Sequence, residues 1–143
     1  MRSIVLRRTV QTPGDTALVN ITSDVHRAVA ESGIANGLAL VMTLHTTTAI
    51  TVNEGLEDLE DDILELIQRL VPANAPYRHA RFLDSDGQMA VNAPSHLRGA
   101  LLGMEVLFPV EDGKLVIGGR QTIYLVELDG PLLRNWVVHV LGD

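Results

Sequence analysis

Residues 104–142, MEVLFPVEDGKLVIGGRQTIYLVELDGPLLRNWVVHVLG, decide the fold class. Four runs rich in Val, Ile and Leu (MEVLFPV, KLVIG, QTIYLVEL and NWVVHVLG) are separated by turn-forming residues, which reads as successive short strands. Asp112-Gly113 is the dipeptide that closes a two-residue hairpin. Working outward, residues 2–10 (RSIVLRRTV) alternate as another strand, and residues 12–15 (TPGD) form a turn. Residues 37–44 (GLALVMTL) read as a buried strand, which residues 48–52 (TAITV) continue or pair with.

Helices fill the space between. Ser23 caps a first one, with Val25, Ala28 and Val29 at helical spacing before Gly33 ends it. Over residues 55–71, Leu56, Leu59, Ile63, Leu66, Ile67 and Leu70 share one face, and Pro72 stops the helix. Its acids cluster toward the N-terminal half, where the helix dipole favours negative charge. Residues 72–91 are a long connection, which in a compact domain is more often functional than idle. Asn92 then caps a third helix carrying Pro94 in its first turn and ending at Gly103. The expected class is α+β: one domain over residues 1–143, mostly antiparallel and sandwich-like, with two or three helices.

Composition narrows the function. Hydrophobic residues make up 46% of the 143-residue chain, and a domain of this size buries roughly 68–70% of the surface its unfolded chain exposes, so it needs neither disulfide nor structural metal. Eleven Lys and Arg against 18 Asp and Glu give a net charge of -7, which repels nucleic-acid backbones, and 3% aromatics leave little for base stacking. Nucleic acid is therefore not an expected partner. The absence of cysteine excludes thiolate chemistry and Cys-type zinc sites, leaving His, Asp and Glu as metal ligands. The first ten residues alternate, unlike a signal peptide, so a cytoplasmic location is expected. The charge-free stretch 32–53 is too rich in Thr, Asn and Gly to span a membrane.

Chemistry must come from scattered polar residues, since no HExxH, P-loop or GxSxG pattern is present. His45 follows an apolar run and precedes Thr46-Thr47-Thr48, whose hydroxyls and strand-end amides can bind an anion; a solvent-facing strand end is the other reading. His79 lies in the long connection, and His96 stands near a helix start, where it can face a bound ligand. Three separated imidazoles can hold Zn²⁺ with one open position. His26 and His139 read as ordinary helix and strand residues. Asp62 and Glu60 flank the apolar stripe of the second helix symmetrically, so spacing does not choose between them. Period-2 alternation puts Glu127 on one face with Ile123 and Leu125, as either an edge-strand charge or a perturbed acid/base.

The ordered set His45-Thr46-Thr47-Thr48-Ala49, Val52-Asn53-Glu54, Leu70-Val71-Pro72, Tyr77-Arg78-His79, Asn92 with His96-Leu97-Arg98, Gly118 with Gln121, and Glu127 with Asp129-Gly130-Pro131 resembles the YjbQ-type family, also called the secondary thiamine-phosphate synthase family. The resemblance runs from about residue 37 to the C-terminus. It implies a homotrimer with a weak transferase activity that joins hydroxymethylpyrimidine diphosphate to thiazole phosphate and releases diphosphate, as a side activity of another main reaction. His96 would be the acid/base, with Asp62 and Glu127 orienting ligands or moving protons. Thr46, Thr47, Asn53, Glu54 and Gln121 would contact a small phosphorylated substrate. His45, His79 and His96 would hold a divalent metal, Zn or Mg, or a phosphate. A non-catalytic trimer binding a small anion or metal is the alternative. The chain departs from the family pattern at Pro94, Arg120 and Leu132, where many relatives carry His, Trp and Arg; Arg134 is the nearest basic residue to the last.

Overall fold

A computed structural model of the chain describes residues 1–79, 82, 83, 88, 89 and 91–143. The C-terminal strands form as the sequence predicts: β7 (Glu105–Glu111) and β8 (Lys114–Leu115) join through Asp112 and Gly113, both at positive φ (50° and 73°), as a type I′ turn requires. β9 (Gln121–Glu127) and β10 (Leu133–Gly142) follow. They belong to different sheets. β10 lies between β1 (Arg2–Gln11) and β3 (Gly37–Thr43) in a five-stranded antiparallel sheet ordered β1-β10-β3-β7-β8. β9 lies between β2 (Ala17–Asn20) and β4 (Thr48–Glu54) in a three-stranded antiparallel sheet.

Contrary to the expectation from the sequence, residues 48–52 neither continue β3 nor pair with it; residues 44–47 carry the chain from one sheet to the other. Pairing with β9 makes every residue from Ala49 to Thr51 half-buried or buried, a burial that the local apolar pattern cannot assign to a particular partner. β2 has no counterpart in the sequence reading, because four residues between a turn and a helix are too few to show a period.

The sheets face one another around a core of Ala39, Val41, Ile50, Ile123, Leu125, Trp136, Val138 and Val140, closed at one side by α1 (Thr22–Ser32) through Val25, Ala28 and Val29. The N-terminus of α1 is held by Asn20, whose Oδ1 accepts the Thr22 N–H at 3.0 Å; Ser23 lies one residue inside the helix and is not its cap. The other face of the three-stranded sheet carries Ala49, Tyr124, Val126 and Leu128 under α2 (Glu57–Leu70) and α3 (Ala93–Leu102). β9 is covered on both faces, which is why Ile123 to Leu128 are buried without a break.

α2 meets that face mainly through Ile67, whereas Leu66 and Leu70 of its predicted stripe stay 50% and 62% exposed. The connection before α3 contains a short hairpin of β5 (Phe82–Leu83) and β6 (Gln88–Met89); residues 80, 81, 84–87 and 90 lie outside the described ones. Among the described residues no helix is long and apolar enough to cross a membrane.

Candidate functional site

The chain crosses between sheets at Leu44–Thr47, and the crossing is fastened on both sides. The Leu44 N–H bonds to the Asn135 carbonyl at 3.1 Å, and Thr43 and Thr48 join hydroxyls at 2.5 Å across the loop base. His45 sits at its apex, where its Nε2 accepts the Asn135 N–H at 2.9 Å. A ring nitrogen that accepts carries no proton, so neutral His45 is protonated on Nδ1 and presents a donor. Burial, and then the neighbouring Arg134 charge, lower its pKa, with Glu127 opposing.

Behind this loop Glu127 and Arg134 form a pair shielded from solvent, their side chains 0% and 5% exposed. The carboxylate accepts from Arg134 Nε at 2.7 Å and Nη2 at 2.6 Å, from the Thr12 hydroxyl at 2.7 Å, and from the Leu128 and Asp129 N–H groups at 2.9 Å. Burial alone would raise the Glu127 pKa, but these donors outweigh it and hold the group below its ordinary value. Glu127 shares the face of Ile123 and Leu125 as the alternation predicts. It is neither an edge charge nor a poised acid: it is an anion with its lone pairs filled. Arg134 also donates to the Thr47 hydroxyl at 3.0 Å, so the pair braces the His45 loop from behind.

α3 closes the other side. Ser95 anchors its first turn to the Leu128 carbonyl at 2.6 Å, and buried Arg98 donates twice to the Val71 carbonyl at 3.0 and 2.8 Å, tying α3 to the end of α2. Gly99 lets the helix approach: a Cβ there would lie 3.1 Å from the Thr46 carbonyl oxygen and 3.3 Å from that of Thr48. Pro94 sits in the first turn, where its missing N–H is harmless. Asn92 makes no side-chain cap despite its position. Its amide instead donates to Asp129 at 2.8 Å, while its Oδ1 meets His79 Nε2 at 3.2 Å. Because Oδ1 can only accept, His79 carries its proton on Nε2 and keeps Nδ1 as an acceptor.

Two adjoining cavities result. One, of about 470 Å³, is lined by Tyr77, His79, Ala93, His96 and Leu97. The other, of about 410 Å³, is lined by His45, Thr46, Thr48, His96 and Gly99. His96 is in both, half-buried, its ring edge-on to that of His79 at a centroid distance of 5.1 Å. Its ring makes no hydrogen bond among the described residues.

The other expected site residues fall elsewhere. Thr46 is exposed on the cavity rim and Thr47 is buried against Arg134. Asn53 and Glu54 pair with Thr122 and Gln121 at the far end of the β4–β9 ladder, six residue steps, about 20 Å, from the Thr48–Glu127 pair. There Glu54 bonds the exposed Arg120 at 3.3 Å. Asp62 is exposed; it is Glu60 that turns inward, accepting the buried Tyr124 hydroxyl at 2.7 Å and helping, after burial itself, to push the phenol up to about 12. Asn92, Asp129, Thr12 and Arg134 were not read as site residues, since an Asn before a helix and a Thr in a turn look like local structure until the chain folds. Among the described residues no group of three His, Asp or Glu is placed to hold a metal ion. His45 in particular offers a donor, not a lone pair, so the three-imidazole set does not fit a metal in this arrangement.

Fold and side chains together define a small two-sheet α+β protein with an imidazole-lined cleft beside a buried ion pair. The family model for UPF0047 protein YjbQ-like matches residues 7–143, and the chain belongs to that family. It is 44% identical to a UPF0047 protein of Archaeoglobus fulgidus over 133 residues, covering 93% of this chain and 98% of that one. To YugU of Bacillus subtilis it is 31% identical, with 93% and 96% covered. Its structure is similar to that of a YbjQ-like protein from Sulfolobus solfataricus, with a TM-score of 0.90, 38% identity and 99% of each chain covered.

Proposed function

We propose that the chain is an enzyme acting on a small phosphorylated molecule, with His96 as its acid/base. The observation that supports this is the double position of His96: its imidazole, which makes no hydrogen bond among the described residues, lines two cavities, one shared with His79 and the other with His45. Imidazole titrates in the range that proton transfer near neutrality requires. A leaving diphosphate develops charge on oxygen, and the His45 Nδ1–H is a fixed donor for such an oxygen. Condensation of hydroxymethylpyrimidine diphosphate with thiazole phosphate, the reaction implied by the family resemblance, fits this division of labour. Glu127 takes a positioning role, holding Arg134 and through it Thr47 and the His45 loop. Any divalent metal would find two imidazoles here, His79 and His96.

The site extends to a neighbouring copy in this reading. The outer face of the five-stranded sheet aligns Val5, His139, Leu40 and Leu107 across four strands, and Val5 and Leu107 are 53% and 58% exposed. A homotrimer burying that face would cover an apolar surface that a lone chain leaves to water. Asn53, Glu54 and Gln121 would then reach a phosphorylated substrate only from the adjacent protomer.

His96→Ala tests the proposal. Steady-state formation of thiamine phosphate should fall by 10²–10⁴-fold, the usual contribution of a general acid or base, while light scattering shows an unchanged assembly. Equal rates in the two proteins would remove His96 from the chemistry. Tight binding of a phosphorylated ligand with no turnover in either would favour the non-catalytic binding module.

A further inference from the structure

The outer face of the five-stranded sheet ends in opposite charges. Strand register places Arg7, Val137, Met42 and Glu105 in one row across β1, β10, β3 and β7. The row lies on the outer face, because the preceding or following residues Leu6, Trp136, Val41 and Val106 pack into the core. β1 is an edge strand, and β8 pairs with β7 only at Val110 and Glu111, which leaves the Glu105 end of β7 as the opposite edge. Arg7 and Glu105 are therefore exposed on opposite rims, three strand spacings or about 14 Å apart. Neither forms an ion pair among the described residues. The next row, Val5-His139-Leu40-Leu107, brings no Lys, Arg, Asp or Glu, and neither does the one beyond it, which holds Leu141 and Leu38.

A face that is apolar in the middle and oppositely charged at its two rims complements itself head to tail. Rotation about an axis along the strands keeps each row at its own height, so the Arg7 rim of one copy meets the Glu105 rim of the next. Glu105 has a second position that matters: it lines the cavity of about 410 Å³ with His45 and His96, whereas Arg7 of the same chain does not. A lone chain thus offers that cavity an unpaired carboxylate, which repels an anionic substrate.

We propose that this face packs against neighbouring copies of the chain, and that Arg7 of one copy pairs with Glu105 of the next and completes its His96 cavity in trans. A guanidinium has five N–H donors, of which a carboxylate takes two, so donors remain for a substrate oxyanion. The catalytic role rests on the reaction proposed above; the contact between copies does not.

The chain has no cysteine, so single-cysteine variants test the contact without background. Full-length Arg7→Cys and Glu105→Cys chains are refolded together and oxidised. A two-chain species on a non-reducing gel is expected from the mixture and from neither variant alone. Its absence from the mixture, or its appearance with one variant alone, would overturn the proposal. Completion in trans is read by activity. Arg7→Gln should slow thiamine phosphate formation by about tenfold or more, the worth of one charge-assisted hydrogen bond. An equal mixture of Arg7→Gln and His96→Ala chains, reassembled at random, should recover about a quarter of the wild-type rate, since half the sites keep His96 and half their neighbours supply Arg7. A mixture no faster than the mean of its two parts, beside an active wild type, would overturn completion. Failure of the reaction itself shows differently, as a wild type without turnover whose cysteine variants still join across the junction.

Discussion

Replacing Glu127 by Gln keeps the volume and one acceptor but removes the charge, leaving the Arg134 guanidinium buried with no anion. Five hydrogen bonds converge on that carboxylate, two of them from Arg134, and neither side chain has solvent to fall back on. Breaking a buried pair from one side costs about 3–5 kcal/mol. At about 2–4 °C per kcal/mol for a domain near this size, Tm should fall by about 6–20 °C. Arg134→Met should cost a similar amount, whereas the double variant Glu127→Gln/Arg134→Met, which removes both charges, should cost less than the sum of the singles. Urea melts at pH 7 give the cycle. His45 supplies a second, signed readout: Arg134 lowers its pKa and Glu127 raises it, so Glu127→Gln should lower the His45 pKa further while Arg134→Met raises it. Strictly additive costs, or single-variant losses under 1 kcal/mol, would refute the brace, as would His45 moving the same way in both.

The pH dependence of stability follows the same logic. Because the folded Glu127 pKa is depressed, its contribution is fully present above the unfolded value of 4.5 and is lost as pH falls through the lower folded value, so acid melts of the wild type should steepen there and those of Glu127→Gln should not. Of the two tyrosines, Tyr124 should ionise at about 12, and Glu60→Gln should lower it, as absorbance at alkaline pH will show; an unmoved midpoint would deny the contact. Two-bond ¹H–¹⁵N spectra at neutral pH should find His45 protonated on Nδ1 and His79 on Nε2, and finding both on the same nitrogen would remove the donor–acceptor division around His96. Zn²⁺ added to the same sample should shift His79 and His96 and leave His45 in place; coordinated movement of all three would restore the three-imidazole set. Gly99→Ala gains about 1 kcal/mol of helix propensity, yet stability should fall, because the new methyl presses on the Thr46 carbonyl; a more stable variant would show that α3 can retreat.

How much of this was legible in the sequence depends on range. Elements with their own period announced themselves: the alternation of β1, the apolar face of α2 and the Asp112-Gly113 turn depend on neighbours a few residues away. Strand partners did not. Nothing within residues 48–52 says that they pair with 121–127 and not with 37–44, because both choices bury the same Ile50 and differ only in which sheet receives it. Ser23 illustrates the opposite limit: a residue suited to capping lies inside the helix, and Asn20, three positions earlier, holds the first N–H instead.

The site was legible as a list of residues and not as a geometry. His45, His79 and His96 were found because imidazoles stood in apolar or Gly-rich settings, but what each can do is set by a bond from elsewhere in the chain. The Asn135 N–H turns His45 into a donor, and Asn92, backed by Asp129, leaves His79 an acceptor. Glu127 shows the same dependence more sharply. Its place among apolar neighbours was correctly read from period 2, yet the reading could not tell an acid with a raised pKa from an anion with a lowered one. That choice is made by Arg134, seven residues on around the Gly130-Pro131 corner, and by Thr12 from the other end of the chain. Buried charge in a sequence therefore fixes where to look, and the sign of its perturbation waits on the partner. Here the partner converts a candidate proton donor into the brace on which the His45 loop stands.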